Sequence, residues 1–200
     1  MKGLVLSIML LFAATIANAQ FLPSIGIKAG LNFANVSNAS SFNSSSETGF
    51  MVGGYLGGKR RLLSYRTELI FSRQGYEYKT GSSTGQVTLD YLLLPQLLTL
   101  NFGKYVSLQA GGQLAFLLKG RVDSSGSSGD LMDFLNRFDY GIAAGAEFSP
   151  LSGLFIGLRY TRSLSDLYDS LSYSGGQIQF ASPNLRNNVV QVYAGWRFGK

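Results

Sequence analysis

The 200-residue chain predicts an all-β fold: an eight-stranded antiparallel up-and-down transmembrane β-barrel, preceded by a cleaved signal peptide. Three observations predict it. An apolar leader opens the chain. Hydrophobicity then alternates with period two in segments of roughly ten residues, the pattern of transmembrane strands. The connections between those segments are alternately long and tight.

The leader comes first. Met1-Lys2-Gly3 supplies a positive start, Leu4 to Ile16 an apolar run, and Ala17-Asn18-Ala19 a small-x-small cleavage site, the three parts of a secretory signal peptide. A membrane-spanning helix would need about 20 apolar residues, more than this run contains. Residues 1–19 are therefore expected to be removed, leaving 20–200 as one outer-membrane barrel domain. With no cysteine in the chain, disulfides, thiolate metal sites and a lipoprotein anchor are excluded.

Eight strands are predicted at 24–36, 48–58, 62–78, 86–102, 104–118, 137–148, 153–164 and 187–199. The last shows the alternation most clearly: Val190, Val192, Ala194, Trp196 and Phe198 share one face and Gln191, Tyr193, Gly195, Arg197 and Gly199 the other. Val106–Leu114, Tyr140–Phe148 and Leu154–Tyr160 divide in the same way. The first three strands are noisier but follow the rule. The fourth, Gln86 to Phe102, is apolar on both faces, and its Pro95 is expected to shift the phase, since a strand proline commonly marks a bulge or a break in the ladder.

Tight connections fall at Gly58–Arg61, Gly103 and Ser149–Ser152. Long ones fall at Ser37–Glu47, Lys79–Gly85, Lys119–Asn136 and Ser165–Arg186. Short turns at one end and long loops at the other match periplasmic turns and extracellular loops. Closure follows from physics: lipid offers no hydrogen bonds, so every strand edge must be paired. Phe33, Phe50, Tyr55, Tyr76, Phe102, Tyr105, Phe148, Tyr160 and Phe198 are assigned to aromatic girdles at the two interfaces.

Composition agrees. Charged residues make up 14% of the chain, against about 25% in soluble domains, while glycine, tyrosine and phenylalanine are frequent. The net charge of +6 is scattered; its densest run, Lys59-Arg60-Arg61, suits anionic head groups rather than nucleic acid.

Several short motifs, in this order, resemble the outer-membrane β-barrel family of Bacteroidota, a porin-like group that includes PorT-like proteins. They are Ile27-Lys28-Ala29-Gly30-Leu31-Asn32, Glu68-Leu69-Ile70-Phe71-Ser72-Arg73-Gln74-Gly75, Tyr91-Leu92-Leu93-Leu94-Pro95, Phe138-Asp139-Tyr140-Gly141, and Arg159-Tyr160 followed by Leu164. The chain departs from the family pattern at Leu93, where a polar or acidic residue is usual, and at its end, where Gly199-Lys200 follow the aromatic Phe198. The resemblance implies outer-membrane localisation and insertion by the barrel-assembly machinery.

The chain has no histidine, which removes a Ser-His-Asp triad, a histidine base and histidine metal sites. No enzyme activity, cofactor or metal is expected. By parity Lys28, Arg66, Glu68, Asp139, Glu147, Arg159 and Arg197 point into the barrel, where pairing offsets the cost of burying charge; Glu68 is the expected centre, with Arg159 or Arg66. The serine- and glycine-rich segments Ser37–Glu47, Gly120–Gly129 and Tyr168–Gln177 read as solvated loops. The expected function is a structural, adhesive or assembly role through extracellular loops, with lipid, the assembly machinery and envelope proteins as partners and no nucleic acid. A narrow porin-like channel or transporter is the alternative, and a soluble lipocalin-like ligand-binding barrel a further one.

Overall fold

The computed structural model describes residues 24–37, 43–80, 83–124, 127–130, 135–165 and 186–198. The predicted signal peptide, the segment Tyr168–Gln177, Gly199-Lys200 and parts of all four long connections lie outside them. Among the described residues nine strands are present: β1 (Ser24–Ser37), β2 (Asn43–Gly57), β3 (Leu63–Thr80), β4 (Ser83–Phe102), β5 (Val106–Ser124), β6 (Ser127–Asp130), β7 (Phe138–Phe148), β8 (Leu154–Ser163) and β9 (Arg186–Phe198). No helix occurs among the described residues.

Each wall strand pairs antiparallel with its neighbours, and β9 returns to β1 from Ile25–Phe198 to Ser37–Arg186. The eight strands β1–β5 and β7–β9 thus close a barrel. β6 lies outside that wall; it pairs with the end of β5, from Arg121–Asp130 to Ser124–Ser127. Within the segment Gly120–Gly129, expected as a solvated loop, residues 121–124 and 127–129 are therefore paired strand. β2 likewise starts inside the predicted first loop.

Alternation sorts the side chains as a bilayer demands. Ile27 is 55% exposed and Leu158 54%, whereas Lys28 is 2% exposed and Arg159 1%. Apolar side chains outside and charges inside invert the order of a soluble ligand-binding barrel, so the lipocalin-like alternative is overturned. Glycines on the inner face make room for large side chains: a Cβ on Gly26 would lie 2.2 Å from the Tyr55 ring, and one on Gly157 2.4 Å from that of Tyr193.

Two further expectations are corrected. Pro95 does not shift the phase: Val87, Leu89, Tyr91, Leu93, Leu97 and Thr99 all stay buried. Opposite β3 the pairing runs from Thr67–Gln96 to Ile70–Leu93 in one register, with a gap at the two intervening steps. Opposite β5 the pair Pro95–Gln113 is kept. In an antiparallel ladder a residue bonds to one neighbour only, so the missing N–H interrupts one ladder and spares the other. The phase shift sits instead on β5, where Asp90–Lys119 is followed by Tyr91–Leu117 and Leu118 is the extra residue of a bulge.

The second correction concerns the girdles. Tyr55 and Tyr76 are buried in the lumen, while Phe33, Phe50, Phe102, Tyr105, Phe148, Tyr160 and Phe198 are exposed on the outside. Trp196, Tyr65, Phe116, Phe138 and Tyr140 are exposed as well, and Phe116 meets Phe138 edge to face at 5.3 Å.

Candidate functional site

The lumen concentrates the chain's buried polar chemistry. Towards the short turns, Glu68 of β3 accepts Lys28 Nζ from β1 at 2.6 Å. It also accepts both terminal nitrogens of Arg159 from β8, at 2.6 and 3.0 Å. Such a paired, two-pronged guanidinium contact is the strongest form of charge-assisted hydrogen bond. Arg159 also donates to Gln109 Oε1 at 2.8 Å.

A second carboxylate, Glu147 of β7, accepts Arg66 at 2.7 Å and the Tyr193 hydroxyl at 3.1 Å, both on Oε1. Arg66 links the two centres, lying 3.7 Å from Glu68 Oε1. Arg197 stands 4.0 Å from Glu147 Oε2 and donates Nε to the Tyr55 hydroxyl at 3.1 Å. Aromatic faces screen the cations from the wall: Lys28 lies 4.3 Å from the Tyr193 ring centre and Arg66 4.2 Å from that of Tyr55.

Six of the seven residues singled out by parity thus form one constellation. Asp139 stands apart, nearer the loop end, where it accepts Ser163 Oγ at 2.6 Å and also the Ser165 hydroxyl. Arg60 was not among the parity residues, because parity says nothing about a turn. From the β2–β3 turn it reaches Ser149 Oγ at 3.3 Å and Ser107 Oγ at 3.0 Å. It therefore crosses the mouth of the barrel.

Towards the loops the filling changes. An amide and hydroxyl chain runs from Asn187 to Gln74 (2.5 Å), Gln74 to Ser72 (2.8 Å), Asn32 to Ser72 (2.8 Å) and Gln191 to Asn32 (3.1 Å). Opposite it, Val87, Leu89, Tyr91 and Leu93 of β4 pack with Ile70, Tyr76, Ala115 and Leu117, and Leu135 adds to this cluster from the connection before β7. Leu93, the departure from the family pattern, is 1% exposed in that cluster, where a polar residue would be buried among hydrocarbon. Among the described residues, two small voids lie in the lumen, about 10 Å³ beside Gln74, Tyr91 and Asp139, and about 20 Å³ at the short-turn mouth beside Arg60, Arg66 and Arg197. Among the described residues no cluster could hold a metal ion.

Known structures share this architecture at low sequence identity. Ail, the attachment invasion locus protein of Yersinia pestis, superposes with a TM-score of 0.54 and 18% identity over 89% of this chain and 100% of its own. Neisserial surface protein A gives 0.57 and 15%, over 87% and 97%. Ail in complex with the heparin analogue sucrose octasulfate gives 0.53 and 18%, over 89% and 100%. No curated protein sequence matches. The family profile of the outer membrane protein beta-barrel domain matches residues 18–169, most of the chain. With its closed eight-stranded wall, apolar exterior and charged interior, the chain belongs to the outer membrane protein β-barrel domain family.

Proposed function

We propose that this protein is a non-conducting, non-enzymatic barrel of the outer membrane with a structural, adhesive or assembly role, performed through its extracellular loops. The finer parts of the reading belong with it: export by the signal peptide 1–19, membership of the Bacteroidota PorT-like group, insertion by the barrel-assembly machinery, and envelope proteins as partners of the loops.

One observation carries the proposal. The lumen is filled at successive levels, first by the Glu68 and Glu147 network and then by the amide chain and the apolar cluster. Among the described residues, the voids beside Asp139 and beside Arg60, about 10 and 20 Å³, correspond to about one water apiece. Both network carboxylates are engaged by cations in the filled interior, which leaves neither placed to act on a substrate. A barrel with its interior packed in this way has its loops and its outer surface left for work.

Purified protein refolded in detergent and reconstituted in planar bilayers and liposomes tests the reading. The expected result is no stepwise conductance and no solute uptake above protein-free membranes. Stepwise conductance, or uptake that rises with the amount of protein, would overturn it in favour of the narrow channel or transporter.

A further inference from the structure

The charges in the short-turn half of the lumen do not balance. Lys28, Arg66, Arg159 and Arg197 face two carboxylates, Glu68 and Glu147, and Glu68 is already shared by Lys28, Arg159 and Arg66. The surplus gathers at the mouth with the short turns. There Arg60 from the turn, Arg66 from β3 and Arg197 from β9 line a void of about 20 Å³ together with Tyr55, Ser64 and Asn101. The nearest carboxylate, Glu147, has given Oε1 to Arg66 and Tyr193. From its Oε2, Arg197 stands off at 4.0 Å.

Three arginines therefore line one small space: Arg66 is shared between Glu147 and Glu68, Arg197 has only Glu147 at 4.0 Å, and Arg60 is held by neutral oxygens, the Ser149 and Ser107 hydroxyls and the Val106 carbonyl, rather than by a carboxylate. Arg60 registers the deficit: burial first, and then the charge of Arg197, push its pKa below the ordinary arginine value. A void of this size admits about one oxygen-sized atom, so a ligand would insert one oxygen and leave the rest of the group facing the periplasm. The guanidiniums arrive from a turn and from two separate strands. Donors from three directions suit a tetrahedral oxyanion better than a flat carboxylate, which arginine grips in one plane.

We propose that the periplasmic mouth of this barrel is a binding site for a phosphate group, held by Arg60, Arg66 and Arg197. The group is either free phosphate or a phospholipid head group of the inner leaflet.

Arginine side-chain Nε–H signals, followed by nitrogen-15 NMR, test this. One sample is the full barrel in a maltoside detergent free of phosphate, titrated with inorganic phosphate or with acetate at constant ionic strength. The other is the barrel in phosphatidylglycerol nanodiscs without free phosphate. Saturable shifts of the Arg66 and Arg197 signals with phosphate, at least about tenfold weaker in Arg60→Gln, would support the site and assign free phosphate. The same shifts in nanodiscs alone would support the site and assign the head group. No response in either sample, an equal response to acetate, or an undiminished response in Arg60→Gln would overturn the proposal. Heat-modifiable gel mobility reports whether each variant is folded; if Arg60→Gln is not, Arg60→Lys, which keeps the charge and loses the fork, takes its place with the same expected weakening.

Discussion

Below Ile70 the lumen holds charge set among aromatic rings, with Glu68 holding Lys28 and Arg159 beside Tyr193, Tyr55 and Phe155, whereas above it the inner face of β4 fills one side of the same cylinder with Leu93, Tyr91, Leu89 and Val87. The two fillings rest on different physics. The charged layer depends on partners: a buried ion costs several kcal/mol unless it is paired and fully hydrogen-bonded. Loss of one member therefore strands the others. The apolar layer depends on volume, and neighbouring side chains can partly relax into a gap. Barrel closure needs only that the wall strands pair; the two layers decide how firmly the closed barrel is held.

The largest effect is expected at the charged centre. Glu68→Gln removes the carboxylate shared by Lys28 and Arg159 and should lower stability by roughly 3–5 kcal/mol, read as a shifted urea midpoint in micelles by the heat-modifiable gel band. If the loss stems from stranded cations, adding Arg159→Met to Glu68→Gln should return part of it. A double variant less stable than Glu68→Gln alone would show that Arg159 contributes through packing rather than charge.

Leu93→Ala probes the other layer. Its side chain is 1% exposed within the apolar cluster, so truncation should cost about 2–4 kcal/mol in the same urea assay. A cost above that of Glu68→Gln would reverse the order of the two layers. It would make the hydrocarbon, rather than the ion pairs, the principal support of the lumen.

The two layers were also unequally legible in the sequence. Parity alone put Lys28, Glu68 and Arg159 on the inner face, because a strand alternates with period two and only one face meets lipid. It could not name their partners. Lys28 and Glu68 are 40 residues apart and Glu68 and Arg159 are 91 apart, so their meeting depends on the stagger between strands. Asp139 shares the parity and misses the network because it starts β7, at the opposite end from Glu147.

Tyr55 and Tyr76 teach the converse. Each has the inward parity of its own strand, Tyr55 with Met51 and Tyr76 with Ile70. A place near a strand end suggested the girdle, but parity decides which face a side chain occupies. β4 was the hardest strand to read because it is apolar on both faces: one meets lipid and the other supplies the apolar layer. Arg60 could not be found by parity at all, since a turn has none.

Pro95 gives the smallest expected effect and the sharpest check on the apolar wall. It sits in β4 between Leu93 and Leu97, and both remain buried, so the strand runs through the proline without turning over. The ladder to β5 is already complete there, and only the steps facing β3 are open. Pro95→Ala would supply an N–H to that gap, while restoring backbone freedom to the unfolded chain, an effect worth about 0.4–1 kcal/mol in the opposite direction. The two changes should largely cancel, leaving the urea midpoint within the equivalent of about 1 kcal/mol. A loss above about 2 kcal/mol would mean that the proline itself holds the register, and that the apolar layer depends on it.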